Sequence, residues 1–419
     1  MGSNGFETLQ PTSENGELCP GSRREGRIGF NALDHYLLRP GHRPLAVGLS
    51  GGGDSLALTL IADAWAREAG RQLIVFTVDH GLQADSGAWT RACADIAKRL
   101  GRPFRALAWT DEKPQTGLPA AARLARHRLL ADAAREAGAR VILLGHTADD
   151  VAEAAAMRAA GATTPDPRAW SPSPVWPEGR GLFLLRPLLS ARRADLRDWL
   201  TARGETWIDD PANADPRYAR SRARLAGAAP ASRAAIEPPL ALAAQADERA
   251  GIVSLPRTAF RAAGVSEAHR FVALAAVCAG GGERLPASAR VARAADALRR
   301  ERPFVATLAG ARIDANAQTI RIFREPGEAA RGGLGPLHPP GVWDGRFEIA
   351  EGHEIRRLAG LLRRLPPGQQ ETVRAFPAAA RGALPVHVDG AGGVTLGSLE
   401  CLVGERLRAA AGLVQREPD

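Results

Sequence analysis

Ala46-Val47-Gly48-Leu49-Ser50-Gly51-Gly52-Gly53-Asp54-Ser55 joins a short apolar run to three consecutive glycines, and an apolar pattern of helical spacing resumes at Leu56-Ala57-Leu58. Strand, tight turn and helix in that order form a phosphate-binding geometry. Glycines let the backbone bring its N–H groups against an anion, and the following helix directs its positive end at the same place. Ser50 and Ser55 add hydroxyl groups and Asp54 a carboxylate. A Walker A loop requires GxxxxGK[ST] and a dinucleotide fingerprint GxGxxG; neither fits. Ser50, Gly51, Gly52, Gly53, Asp54 and Ser55 are therefore candidates for a distinct nucleotide-phosphate turn, the alternative being a glycine-rich turn with no ligand.

On either side the pattern repeats. Leu45–Leu49, Leu73–Val78, Phe104–Trp109 and Val141–Leu144 read as buried strands separated by amphipathic segments of helical length. That alternation predicts βαβ units and a doubly wound parallel sheet, with ligands beyond the carboxyl ends of the strands. A further strand, Leu182–Leu185, leads through Arg186-Pro187 to Ser190, read as the N-cap of a helix ending at Gly204. Two more strand ends are polar. Asp79-His80-Gly81-Leu82 offers His80 as a nucleotide contact or as a structural histidine. Gly145-His146-Thr147-Ala148-Asp149-Asp150, with Glu153 after it, offers paired carboxylates that either take Mg²⁺, which prefers a few oxygen ligands plus substrate phosphates, or cap the helix that follows.

At 419 residues the chain is expected to form more than one domain. We read a polar tail over 1–25, a catalytic domain over 26–228, an Ala- and Arg-rich, mainly helical domain over 229–331 with a hairpin near Ile313–Phe323, and a small C-terminal domain over 341–419 beyond a Gly/Pro-rich linker. No apolar run reaches membrane-helix length and the tail lacks the apolar centre of a secretory signal. Cys19, Cys93, Cys278 and Cys401 show no ligand spacing, which fits a reducing cytoplasm. The net charge of +9 and pI near 10.4 suit an anionic partner. Lys98 and Lys113 are the only lysines, so the basic character is carried by arginine, whose fork matches phosphate.

Four separated motifs stand in one order: SGGGDS at Ser50, DHGL at Asp79, AARLARHR from Ala121 and GHTADDVAE from Gly145. Asp210-Pro211-Ala212-Asn213 and the arginine-rich Tyr218–Arg224 follow. From Arg43 to Arg224 this resembles the tRNA(Ile)-lysidine synthetases of the PP-loop class, with their adenine nucleotide alpha hydrolase-like fold. The resemblance implies an ATP-dependent ligase that adenylates carbon 2 of the wobble cytidine of an isoleucine tRNA with a CAU anticodon, after which L-lysine displaces AMP. It further implies that the glycine turn holds ATP, that Asp54, Asp149 and Asp150 serve catalysis, and that Asp54 with Asp149 or Asp150 holds Mg²⁺, of which we choose Asp54 and Asp150. Arg123 and Arg126 lie three apart, on one helix face with His127 beside them. We assign Arg123 to the reaction and Arg126 to tRNA, an exposed arginine face being the alternative. Arg217, Arg220, Arg222 and Arg224 place four cations within eight residues, a density expected of a phosphate contact; Arg217, Arg220 and Arg224 are assigned to tRNA.

The chain departs from the family at Ala154 and Ser221, where threonine and asparagine are usual, and in Gly161–Pro167, which replaces an RGSG-containing loop. A PP-loop thiolase is one rival, though it calls for paired cysteines that this chain lacks. A degenerate RNA-binding protein is another. The oligomeric state is not legible.

Overall fold

The structure, a computed structural model, describes residues 28–162, 166–210, 222–224, 238–328 and 332–418. After helix α1 (Phe30–Tyr36), strands and helices alternate: β1 (Leu45–Gly48), α2 (Gly53–Glu68), β2 (Leu73–Asp79), α3 (Ser86–Arg99), β3 (Phe104–Ala108), α4 (Leu118–Glu136), β4 (Val141–Leu143) and α5 (Ala148–Ala159). A short edge strand, β5 (Trp170–Pro172), precedes β6 (Phe183–Leu185) and α6 (Arg193–Thr201). The sheet order is β3-β2-β1-β4-β6-β5, parallel except for β5. Because the order reverses between β1 and β4, their carboxyl ends open a crevice.

Alternation along the strands divides the core between the two faces. Leu45 and Val47 join Leu56, Leu58, Ile61 and Trp65 on one side, while Ala46, Phe76 and Ile142 meet Leu130, Ala131 and Ala134 on the other. Each fully buried large apolar side chain contributes about 1.5–3 kcal/mol, so the site rests on a rigid base. The expected doubly wound sheet is thus present. One helix start differs: α6 begins at Arg193, after Arg192 rather than Ser190. The reason lies across the crevice, where the Asp149 carboxylate accepts the Arg193 N–H at 2.7 Å and replaces a local cap.

The middle segment carries more sheet than its composition announces. Helices α7 (Arg257–Ala262), α8 (Val265–Ala279) and α9 (Ser288–Arg299) lie with a five-stranded antiparallel sheet, β7 (Gln245–Ala246), β8 (Val253–Pro256), β11 (Thr319–Arg324), β10 (Ala311–Ala315) and β9 (Phe304–Leu308) in spatial order. The expected hairpin is the β10–β11 pair. Beyond it, β12 (Gly341–Trp343), β13 (Phe347–Ile349) and β17 (Glu400–Cys401) form one small sheet, and β14 (Glu354–Arg357), β15 (Pro385–Val388) and β16 (Val394–Thr395) another. Helices α10 (Pro367–Arg374) and α11 (Ala378–Arg381) pack against the second of these sheets, and the last helix, α12 (Val403–Ala410), returns to the middle core through Val403 and Leu407.

The residues after α12 then clasp the first half of the chain. Glu417 forms a two-pronged ion pair with Arg71 at 2.8 and 3.0 Å, both side chains almost fully buried. Its backbone N–H donates to Tyr36, its carboxylate accepts the Leu38 N–H, and Trp170 donates to the Val414 carbonyl. This clasp lies at the amino ends of the parallel strands, away from the glycine turn.

Candidate active site

Three glycines meet three different demands in the turn between β1 and α2. Gly51 has φ +85°, and a Cβ there would stand 2.5 Å from the Ile208 side chain; a Cβ at Gly53 would stand 3.4 Å from Trp207. The Ile208 N–H donates to the Gly51 carbonyl at 3.0 Å, so the Trp207–Ile208 segment closes one flank of the turn. At Gly52 the nearest atom would be 3.8 Å away, and this is the flank open to a ligand. The hydroxyls brace the loop: the Ser50 N–H donates to Ser55 Oγ, which donates to the Gly52 carbonyl, and the two serine hydroxyls lie 3.0 Å apart. Gly145 is glycine for a similar reason. A Cβ there would lie 2.8 Å from the Asp54 carbonyl oxygen, so only glycine lets the β4–α5 turn approach α2 this closely.

That approach assembles an acidic group around one arginine. Arg193, at the start of α6, donates Nε to Asp54 Oδ2 at 2.9 Å, one Nη to Glu153 Oε1 at 3.1 Å and the other Nη to Asp150 Oδ1 at 3.2 Å. Its own N–H holds Asp149. Arg224 reaches the same Glu153 oxygen at 2.9 Å. Asp150 Oδ2 accepts the Thr147 N–H at 2.7 Å and its hydroxyl at 3.1 Å, a capping box that starts α5. Burial raises the Asp54 carboxyl above its ordinary value, with the Arg193 hydrogen bond and charge pulling the other way. Burial likewise works against the charge of Arg193, yet Asp54, Asp150 and Glu153 together raise its pKa. Asp54 Oδ1 is buried with no hydrogen-bond partner.

A second group of opposite sign stands on the same edge. Arg123 and Arg126 project from α4 and Arg186 follows β6, around a buried His127. Burial first, then Arg126, Arg123, Arg186 and His146, push the imidazole down to about 2, so it is neutral. Burial and the charges of Arg123 and Arg126 push Arg186 down to about 10. Arg186 is anchored through the Arg168 carbonyl at 2.7 Å and Ser171 Oγ at 3.1 Å. His80 lies beside this group, half-buried and edge-on to Trp109 at 6.1 Å; burial and Arg126 lower its pKa.

The structure therefore brings Asp54, Asp149, Asp150 and the glycine turn together, with Arg123, Arg126 and His80 next to them. Asp149 and Asp150 both act as helix caps, one for α6 and one for α5, whatever else they bind. Arg224 joins the acidic group; Arg217 and Arg220, like the tail over 1–25 and much of the Asp210–Ser221 motif, lie outside the described residues. Arg193 and Arg186 were not predicted. Each directly follows the carboxyl end of β6 or begins the helix after it, the position at which a parallel sheet places functional groups, and that rule is the signal that identifies them.

A family model of the PP-loop domain matches residues 30–227. A tRNA(Ile)-lysidine synthase from Caulobacter vibrioides is 49% identical over 407 residues, covering 92% of this chain and 97% of the relative. The chain belongs to the tRNA(Ile)-lysidine synthase family. The synthase from Rhizobium meliloti is more distant, 34% identical over 336 residues, covering 73% of each chain. The motifs from Ser50 to Arg224 all fall inside the matched PP-loop domain, as do Arg186 and Arg193, which complete the two charged groups.

Proposed function

We infer that this chain forms lysidine on tRNA(Ile), the activity for which its relatives are named, as an ATP-dependent ligase. The observation that supports the reading is the crevice itself, where an open glycine turn, a carboxylate group and a guanidinium group share one sheet edge within one PP-loop domain. The reaction has two steps. The oxygen on carbon 2 of the wobble cytidine attacks the α phosphate of ATP, and pyrophosphate leaves. The amine of lysine, without its proton, then attacks carbon 2, and AMP leaves.

Ser50–Ser55 bind the ATP phosphates, with Gly52 on the open flank and the unpaired N–H groups of the first turn of α2 directed at them. His80 borders the nucleotide. Arg123 faces the charge that develops on the reacting phosphate, and Arg126 with Arg224, Arg217 and Arg220 contacts tRNA phosphates. Asp54 Oδ1, buried and without a hydrogen bond, fits a magnesium ligand, and Asp150, whose charge acts on Asp54, is its companion. Mg²⁺ needs only one or two carboxylates when phosphates supply the rest; among the described residues no three acidic, histidine or cysteine side chains form a ready metal nest. When bound, the ion neutralises phosphate charge.

No helix among the described residues is long and apolar enough to cross a membrane, and we place the enzyme in the cytoplasm. We keep the segment limits at 26–228 for catalysis, 229–331 for tRNA binding and 341–419 for the C-terminal unit. The test is labelled lysine with ATP and three transcripts: isoleucine tRNA with the CAU anticodon, the same tRNA with uridine at the wobble position, and elongator methionine tRNA, which shares CAU. Label is expected in the first alone. The uridine form should bind nearly as well, because most affinity comes from phosphates. Equal transfer to all three would refute a cytidine-specific ligase.

A further inference from the structure

Arg193 uses all three of its side-chain nitrogens on carboxylates from two different elements, Asp54 on α2 and Asp150 and Glu153 on α5. Its side chain is only 13% exposed, and those of Asp150 and Glu153 are 8% and 3% exposed. Three carboxylates so close repel one another strongly in a poorly solvated site, and a cation among them relieves that repulsion. Asp149 adds a fourth negative charge through the Arg193 backbone N–H. The chain therefore carries, in the crevice, a cation of its own.

We propose that Arg193 is an internal counter-cation that holds the acidic group together without metal and keeps a divalent ion out until ATP brings one. The inference rests on the assignment of Asp54 and Asp150 to Mg²⁺. Its physical basis is competition for oxygens. Asp150 Oδ2 is held by the Thr147 cap and Oδ1 by Arg193, while Asp54 Oδ2 is held by Arg193. Of the four oxygens of Asp54 and Asp150, this leaves Asp54 Oδ1, which is buried with no hydrogen bond, and a single carboxylate oxygen is a poor magnesium site. Phosphate oxygens beside Asp54 change that balance, so metal and nucleotide enter together and Arg193 turns from the carboxylates toward the phosphate charge. As a positioning residue, Arg193 thereby prevents unproductive occupation of the acidic group by a free ion.

The probe is Mn²⁺ followed by electron paramagnetic resonance, with wild type, Arg193→Met and Arg193→Lys, each with and without a non-hydrolysable ATP analogue. Wild type should bind Mn²⁺ only with the analogue. Arg193→Met should bind it without nucleotide, about tenfold or more tightly than wild type. Arg193→Lys keeps the charge and should follow wild type. Should Arg193→Met fail to fold, wild type and Arg193→Lys still decide: Mn²⁺ bound by either without nucleotide, as tightly as with it, overturns the proposal. No Mn²⁺ bound by wild type even with the analogue sinks the metal assignment itself, a separate and distinguishable failure.

Discussion

Around Arg193 the carboxylates of Asp54, Asp150 and Glu153 are held by guanidinium groups of the same chain, whereas around His127 the charges of Arg123 and Arg126 add to burial in depressing both Arg186 and the imidazole. The two groups share one edge of one sheet. The acidic group carries its own counter-charge; the basic group contains Arg186 and His127 at pKa values of about 10 and about 2, far below their ordinary ones. Crowded like charges in a poorly solvated place are relieved by an anion. On the function proposed above, the basic side takes a ligand that arrives from outside, such as nucleotide or tRNA phosphate, and the acidic side opens when it does.

Three measurements break or sharpen this contrast. The largest effect is expected from Asp54→Asn, which keeps the shape of the side chain and removes its charge. AMP release in the presence of lysine and tRNA should fall by about 10²–10³, with a melting temperature close to that of wild type. Unchanged turnover in the folded variant would show that the acidic group is structural. On the basic side, Arg123 is exposed, so Arg123→Met should leave the fold intact and lower kcat/KM for ATP by roughly ten- to a hundredfold, the range for a lost charge-assisted hydrogen bond. If only the tRNA term responds, the basic group belongs to RNA and not to nucleotide.

The smallest effect is one of stability. His127 is neutral in the fold down to about pH 2, while its unfolded form takes a proton below its ordinary pKa of 6.5. Because the unfolded chain then binds the extra proton, this group's contribution is present above pH 6.5 and is lost as pH falls. Between pH 7 and 5, wild type should lose about 2 kcal/mol more than His127→Phe. Denaturant melts of both at the two pH values measure the difference; parallel losses would mean that His127 is not held neutral by its surroundings.

Much of this was legible beforehand. Ser50–Ser55 and the apolar runs around it fixed a strand, a turn and a helix, and the four strand positions predicted by hydrophobic runs became β1 to β4. Asp54, Asp149 and Asp150 could be named because they open the helices that follow β1 and β4. The hub Arg193 was hidden in Ala191-Arg192-Arg193-Ala194-Asp195, which reads as the exposed start of a helix. Its role depends on α5 and α6 meeting across the crevice, a contact that no local pattern records. The same limit applies to the middle segment, where β7, β8 and β9 are short, and to the Trp207–Ile208 flank, whose only trace in the sequence is glycine at Gly51 and Gly53. Tertiary contact decided these cases, and local propensity did not.

The clasp between Arg71 and Glu417 has a consequence in time. It joins residues 346 positions apart, whereas every strand of the catalytic sheet lies within the first 185 residues. Domains generally fold as the chain emerges, at about 5–20 residues per second, so the sheet can form on the order of ten to fifty seconds before Glu417 is made. Throughout that interval Arg71 has neither its partner nor the cover that the last residues provide, so water solvates its guanidinium and the contacts of the clasp are missing. A nascent chain with its phosphate turn already built is thus less stable than the finished one, and synthesis itself orders the two events: first the crevice, then the lock behind it.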